Sequence, residues 1–416
     1  VSSRIEKKGN IDWTTLITYL TLVLIGWITV YSAGYHPEDP GIFNFKETYG
    51  KQFVWMCFCT LMGVVIFNID SKFFSSLAFV YYGISLVLLI VVYFTARDIN
   101  GAKAWIDLGF FRLQPSEFCK FTTALALSKF LSELNITLEN KKHLITTIFI
   151  ILIPFALILL QHDMGSALVF TSFVFMMHRL GLTSWVIISG FYAIFLSVIA
   201  LIIKPFLIIL FLLAIFGIVL YVNLKKRNFK QILNFFIFVW LASGVYVFSV
   251  DYMFNKLEKH QKDRINVMLG KGGNDWNIRQ SRIALGSGQL LGKGFLKGTQ
   301  SKGNFLPAKE TDFIFCTIGE EWGFLGCFIV IGLYVILLYR IILLAEKQKS
   351  KFAKIYGYCI VGIIYFHFFI NIGMTVGLVP VIGIPLPGVS YGGSSLISFT
   401  LLILVFLKFD SERNKY

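Results

Sequence analysis

The sequence predicts an all-α polytopic membrane protein with about twelve transmembrane helices and one long extracytoplasmic loop. Three observations carry that prediction. The chain is 56% hydrophobic and only 15% charged over 416 residues, with a mean hydropathy of +0.73, more apolar surface than a soluble core of this size needs. It contains a succession of runs close to the ~20 apolar residues that a spanning helix requires. The short connections falling on one side of these runs are basic, as orientation by cytoplasmic Lys and Arg demands.

The elements follow in order. The polar, basic start VSSRIEKKGNIDW precedes an apolar run at 13–33 and lacks a cleavable-leader pattern, so the first helix is read as a retained anchor. Runs at 52–69 and 74–95 come next, then 115–134 and 143–161 on either side of the basic ENKKH. The run at 164–180 is short for a span. Region 183–224 reads as two helices, 183–203 and 205–224, hinged at Lys204-Pro205, or as one long interrupted helix. The run at 232–254 follows NLKKRNFKQ; 313–344 and 353–379 flank AEKQKSKFAK; 390–409 runs into the tail KFDSERNKY. With both termini cytoplasmic, all of these basic connections lie inside. The outer side then receives 34–51, 96–114, the long segment 255–312 and 380–389.

The net charge of +15 is read as this cytoplasmic bias and does not call for a nucleic-acid partner. The cysteines (Cys57, Cys59, Cys119, Cys316, Cys327 and Cys359) lie in or beside apolar runs, without zinc-ribbon or disulfide-framework spacing. The histidines are scattered, so no metal site is expected from the residues.

Four constellations can carry chemistry. Segment 255–312 holds eleven Lys/Arg against four acids before Asp312. It opens with an amphipathic stretch, NKLEKHQKDRINVML, and continues with glycines at 286, 288, 292, 294 and 298, which permit a sharp turn or a close backbone approach to a ligand. Its cations Arg264, Arg279, Arg282, Lys293 and Lys297, with Gln280, Ser281, Thr299 and Gln300, suit a phosphate or pyrophosphate. They suit anionic lipid headgroups equally well. No Gly-x4-Gly-Lys-Ser/Thr pattern is present, so ATP is unsupported. Asp312, just before an apolar run, reads as a general base or as a helix N-cap. Glu117 and Lys120 are three apart on one helix, and Asp163 sits between two apolar runs; a Lys120–Asp163 ion pair is expected, either structural or lining a groove. Glu320 and Glu321 fall a turn or more inside the run after Asp312. Finally GLVPVIGIPLPGVSYGGSSL (377–396), which includes Ser390, breaks helix with prolines and glycines and reads as a re-entrant loop or cavity lid.

Several stretches together resemble the SEDS family of bacterial cell-wall proteins, the family of RodA, FtsW and SpoVE. They are NGAKAWIDLGFFRLQPSEFCK (100–120), QHDMGS (161–166), the long motif at 279–326 and NIGMTVGLVPVIGIPLPGVSYGGSSLISF (371–399). The resemblance covers nearly the whole chain, 1–416, as a single integral-membrane domain, and GKGFLKGTQSK followed by FLPAKETDFIF looks more like the rod-shape branch than the division branch. It implies a GT-C-like fold with a ten-helix core, here enlarged by an extra pair within 183–254, and a catalytic outer loop at 255–312. It implies a peptidoglycan glycosyltransferase of the bacterial cytoplasmic membrane, polymerising lipid II on the outer face. Asp312, in TDFIF, stands at the family's essential acid and would deprotonate the GlcNAc 4-hydroxyl, while loop cations stabilise the departing pyrophosphate. Implied partners are lipid II, the lipid-linked growing glycan strand, a class B penicillin-binding transpeptidase and elongation-complex membrane proteins. A lipid II flippase and a non-catalytic scaffold are the rival roles. No cofactor is evident, and a pyrophosphate-bound Mg²⁺ is left open. The chain departs from the family at Lys103, commonly Arg, and at AKETDF, which leaves Glu310 an ordinary loop acid.

Overall fold

A computed structural model describes residues 11–35, 41, 44–96, 102–107, 109, 112–223, 229–257, 259–272, 276–303, 305, 306 and 308–414. The basic residues at 1–10 and 224–228, which help to set the expected orientation, lie outside the described residues.

Helix α1 (Trp13–Gly34) starts at Asp12, whose side chain accepts from the Thr15 amide. It is followed by α2 (Thr48–Asn68), the short α3 (Ser71–Ser76) and α4 (Ala78–Thr95). A two-residue antiparallel pair, β1 (Ile106–Asp107) with β2 (Arg112–Leu113), leads into α5 (Pro115–Ser132), which opens on a proline whose missing N–H has no helical partner to lose. Asn140 caps α6 (Lys141–Leu160). The run expected at 164–180 is broken into α7 (Met164–Val169), a 3-10 turn (Phe170–Ser172) and α8 (Phe173–Arg179). Pro205 begins α10 (Pro205–Asn223) after α9 (Ser184–Ile202), so Lys204-Pro205 joins two helices. The rest are α11 (Phe229–Lys256), α12 (Lys259–Met268), α13 (Trp276–Ser287), α14 (Thr299–Lys302), α15 (Ile314–Glu346), α16 (Lys351–Val376) and α17 (Gly393–Ser411). Gly377, in the left-handed region at φ 77°, stops α16.

Among the described residues, ten helices are long and apolar enough to cross a membrane: α1, α2, α4, α6, α9, α10, α11, α15, α16 and α17. The chain is therefore a multi-pass membrane protein. Of the twelve spans expected, α5 carries Glu117, Lys120 and Lys129, and the 164–179 stretch is too fragmented to qualify by length.

The chain divides into two compact units, one made of 1–182 with 276–416 and the other of 183–275. In the second, α9, α10 and α11 close on Leu196, Ala200, Ile208 and Val247. Hydrogen bonds Tyr192–Ser243 (3.0 Å) and Ser197–Tyr246 (2.8 Å) pin this small core. In the first unit α5, α16 and α17 are innermost; α17 is 83% buried over its most apolar window, whereas α4 and α6 turn most of their surface outward. Such outward apolar faces suit lipid.

One backbone feature shapes the first unit. Helix α15 kinks at Gly323, whose φ of 67° is non-helical. Segment 288–294 enters the kink, so that Phe324 N and Leu325 N donate to the carbonyls of Gln289 (2.9 Å) and Leu290 (3.1 Å). Lys293 N and Gly294 N donate to those of Glu320 (2.9 Å) and Glu321 (3.0 Å). The broken helical ladder is thereby completed by another chain segment. A Cβ at Gly288 would fall 1.9 Å from Gly319 O, and one at Gly292 2.1 Å from Glu321 O. These two glycines admit a helix, not a ligand.

Candidate active site

Helix α15 begins at Ile314 with Phe313 as its cap residue and no capping side chain. The cap position thus falls to Phe313, one residue beyond Asp312. Asp312 sits half-buried at the end of the turn 308–313, in which Thr311 N and Phe313 N both donate to Ala308 O at 3.1 Å.

The proline-rich segment 378–392 is irregular, with 384 and 386–390 buried, and it brackets this turn. Pro385 and Pro387 have no N–H, so the segment cannot build a ladder of its own. Its groups are met by side chains and by the Asp312 turn. The Asn371 amide donates to Ile384 O (2.7 Å) and to Asp312 O (3.0 Å). Ser390 Oγ donates to Thr311 O (2.6 Å) and accepts from Leu386 N (2.8 Å). Tyr391 N donates to Glu310 O (2.8 Å). A Cβ at Gly383 would lie 3.5 Å from Asp312 Oδ2, so the segment passes beside the carboxylate itself. Ser390 thus positions Asp312 through its backbone. Lys309, not singled out from the sequence, donates to Ser301 O at 2.7 Å; burial pushes its ammonium below the ordinary lysine range, and Glu310 only partly opposes this.

Behind the segment lies a buried polar cluster. Lys120 Nζ is 2.7 Å from Glu117 Oε1 and 2.9 Å from His367 Nε2. The expected Lys120–Asp163 pair does not form. Asp163 instead caps α7 through Ser166 N (3.0 Å) and accepts from Gln114 Nε2 (2.7 Å). Three-residue spacing on one helix made the Glu117 pairing available locally, and Asp163 was needed at a helix start. Glu117 Oε2 is buried without a hydrogen-bond partner.

The loop candidates separate by environment. Glu320, fully buried, accepts from Lys293 Nζ (2.8 Å), Thr299 N (2.7 Å), Thr299 Oγ1 (3.1 Å), Gln300 N (2.8 Å) and Ser301 N (2.9 Å). Lys293, Thr299 and Gln300 thus already serve an anion supplied by the protein, and they anchor the loop to α15. Gln280 and Ser281 are buried as well, with the Ser281 hydroxyl set against Ile278 O and Thr375 O, both at 2.8 Å. Ser281 thereby ties α13 to α16. Arg279, Arg282 and Lys297 are exposed, and Arg282 Nε also donates to Val376 O at 3.1 Å. Arg264 lies on α12, in the other compact unit. Glu321, beside Glu320, accepts from the Ser32 hydroxyl. Among the described residues no group of three or more His, Cys, Asp or Glu is arranged to hold a metal ion.

This geometry offers one acid held by its backbone at the rim of a buried polar core, with exposed cations on α13 and in the following turn. A family model described as a cell cycle protein, that of FtsW, RodA and SpoVE, matches residues 12–209 and 206–415. The chain is 32% identical to the peptidoglycan glycosyltransferase RodA of Treponema pallidum (strain Nichols), over 94% of this chain and 96% of that protein. It is 29% identical to the peptidoglycan glycosyltransferase MrdB of Escherichia coli (strain K12), over 94% and 90%. In fold it is similar to a chain of a peptidoglycan synthase complex that coordinates polymerization and crosslinking, at a TM-score of 0.71 and 24% identity over 98% and 99% of the two chains. It is likewise similar to the rod shape determining protein RodA of Thermus thermophilus, at a TM-score of 0.63 and 24% identity over 97% of each.

Proposed function

We propose that this chain, which belongs to the family of FtsW, RodA and SpoVE, is a peptidoglycan glycosyltransferase of cell elongation. It polymerises lipid II into glycan strands in the bacterial cytoplasmic membrane, with both termini inside and the 255–312 segment outside. The observation that supports this reading is Asp312: an acid whose turn is clamped by Asn371 and Ser390.

In the proposed reaction Asp312 takes the proton from the GlcNAc 4-hydroxyl of lipid II. That oxygen forms a bond to the anomeric carbon of the lipid-linked strand, from the face opposite the pyrophosphate. The anomeric C–O bond breaks, its electron pair leaves with undecaprenyl pyrophosphate, and configuration inverts. Exposed cations, with Arg279, Arg282 and Lys297 the remaining candidates of the first unit, stabilise the charge developing on the leaving group. Any Mg²⁺ would be carried chiefly by the pyrophosphate oxygens. A class B penicillin-binding transpeptidase is the expected partner, and crosslinks the product.

The flippase role draws less support, because Glu117 and Lys120 neutralise each other in a fully packed core and offer no charge to a passing headgroup. The test is polymerisation of labelled lipid II by the purified chain with its cognate transpeptidase. The native sequence yields glycan strands, and Asp312→Ala lowers the rate by about 10²–10⁴-fold with an unchanged melting temperature. Robust polymer from Asp312→Ala would refute the base. Lipid II crossing proteoliposomes in both variants without polymer would favour the flippase.

A further inference from the structure

We infer that His367 is a positioning residue that ties the buried Glu117–Lys120 pair to the proline-rich segment cradling Asp312. Its importance for catalysis rests on the glycosyltransferase reading above; the mechanical tie does not.

His367 and Asn371 are four apart, on one face of α16. Both are buried, His367 to 1% exposure and Asn371 to 0%. His367 Nδ1 lies 3.0 Å from Pro385 O, Nε2 lies 2.9 Å from Lys120 Nζ, and the ring stands edge-on to Phe399 at 4.9 Å. A carbonyl oxygen only accepts, so Nδ1 must carry a hydrogen. An ammonium only donates, so Nε2 must then present its lone pair to Lys120. If the shared proton sat on the imidazole, with Lys120 as the free amine, Nδ1 would still carry its hydrogen. The bond to Pro385 O survives either arrangement.

That bond acts where the segment has least support of its own. Pro385 and Pro387 bring no N–H, and one residue before Pro385 the carbonyl of Ile384 is taken by the same Asn371 amide that holds Asp312 O. One residue after it, Leu386 N binds Ser390 Oγ, whose hydroxyl in turn holds Thr311 O. His367 therefore fixes the middle of a three-residue stretch, and its two neighbours fix the backbone of the catalytic turn. Lys120, anchored by Glu117 Oε1 at 2.7 Å, gives the ring an immobile footing. Misplacement by about 1 Å can cost on the order of 10²-fold in rate, so a small shift here is enough to matter.

Three variants separate the two ring contacts in the full-length chain. His367→Asn keeps a donor at the Nδ1 position. His367→Gln keeps an acceptor at the Nε2 position. His367→Phe keeps ring volume and loses both. Hydrogen–deuterium exchange needs no substrate. In His367→Phe it should rise about five- to tenfold at the non-proline amides of 382–391 and at 311–313, for the loss of one hydrogen bond, and in His367→Asn by markedly less. With lipid II, kcat should fall in the order native, Asn, Phe, by at least about tenfold for Phe, with KM within twofold of native because no lipid-binding group is touched. Gln should resemble Phe. Unchanged exchange in His367→Phe would overturn the tie, whatever the activity. Raised exchange with unchanged kcat in an active protein would overturn the positioning role, as would a loss expressed only in KM. A native protein that makes no polymer would count against the glycosyltransferase reading alone, since exchange would still decide the tie.

Discussion

Replacing Glu320 should release the turn that the carboxylate holds, and the size of the effect can be worked from its contacts. Glu320 accepts from three consecutive backbone amides, those of Thr299, Gln300 and Ser301, at 2.7–2.9 Å, and from Lys293 at 2.8 Å. Hydrogen bonds to a charged group contribute about 1.5–3 kcal/mol each but do not add. Lys293 keeps 25% of its side chain exposed, so the loss falls mainly on the three amides. Glu320→Ala should therefore lower the local opening free energy by about 3–4 kcal/mol. At about 1.4 kcal/mol per tenfold, amide exchange at 299–301 should accelerate by about 10²–10³-fold. Glu320→Gln should fall between, because its amide offers one acceptor and turns a donor on the other side. Lys293→Met should leave the three amides protected, since it removes only the ammonium. The assay is residue-resolved hydrogen–deuterium exchange in detergent or nanodiscs. Exchange at 299–301 within tenfold of native in Glu320→Ala would refute the role assigned to the carboxylate.

Two further expectations rest on other parts of the fold. Gly292→Ala forces a Cβ to 2.1 Å from Glu321 O at a φ of 82°, whereas Gly286→Ala meets nothing within 4 Å; the first should destabilise by at least about 2 kcal/mol and the second be neutral or stabilising by up to about 1 kcal/mol, read as melting temperatures. Burial alone would raise the Glu412 carboxyl, but hydrogen bonds from Ser71 and the neighbouring Lys408 outweigh it and bring it down to about 2. A carboxyl depressed in the folded state adds stability that is complete above its ordinary range near 4.5 and is lost as pH falls toward 2. Native protein should thus melt above Glu412→Gln at pH 6, with the gap closing as pH falls from about 5 to 3, and a gap independent of pH would count against the assignment.

Much of the fold was legible because the relevant information is local. A run of apolar residues selects its phase wherever it stands, so helices form at each run expected, and Pro205 and Gly377 mark boundaries by their own backbone chemistry. The irregular backbone of 378–392 was legible for the same reason. The site was legible only in outline. Asp312 could be singled out, but the groups that hold its turn, Asn371 and Ser390, lie far along the chain. Gly288 and Gly292 announced close approach without saying what approaches, and the answer was the kinked α15. Basic residues announced an anion without saying whose, and for Lys293 it is Glu320, 27 residues away.

Apolar runs alone place this chain in a membrane and mark its long helices, and the family's motif singles out its acid. Which polar groups meet is a property of the packing. Charge and hydrogen-bonding capacity belong to a residue type, but their partners are set by packing, and desolvation makes the choice nearly obligatory once a group is buried. Lys120 illustrates the division. Its sequence position declares a costly buried cation, while its partner His367, 247 residues along the chain, is supplied by the way α16 lies against α5.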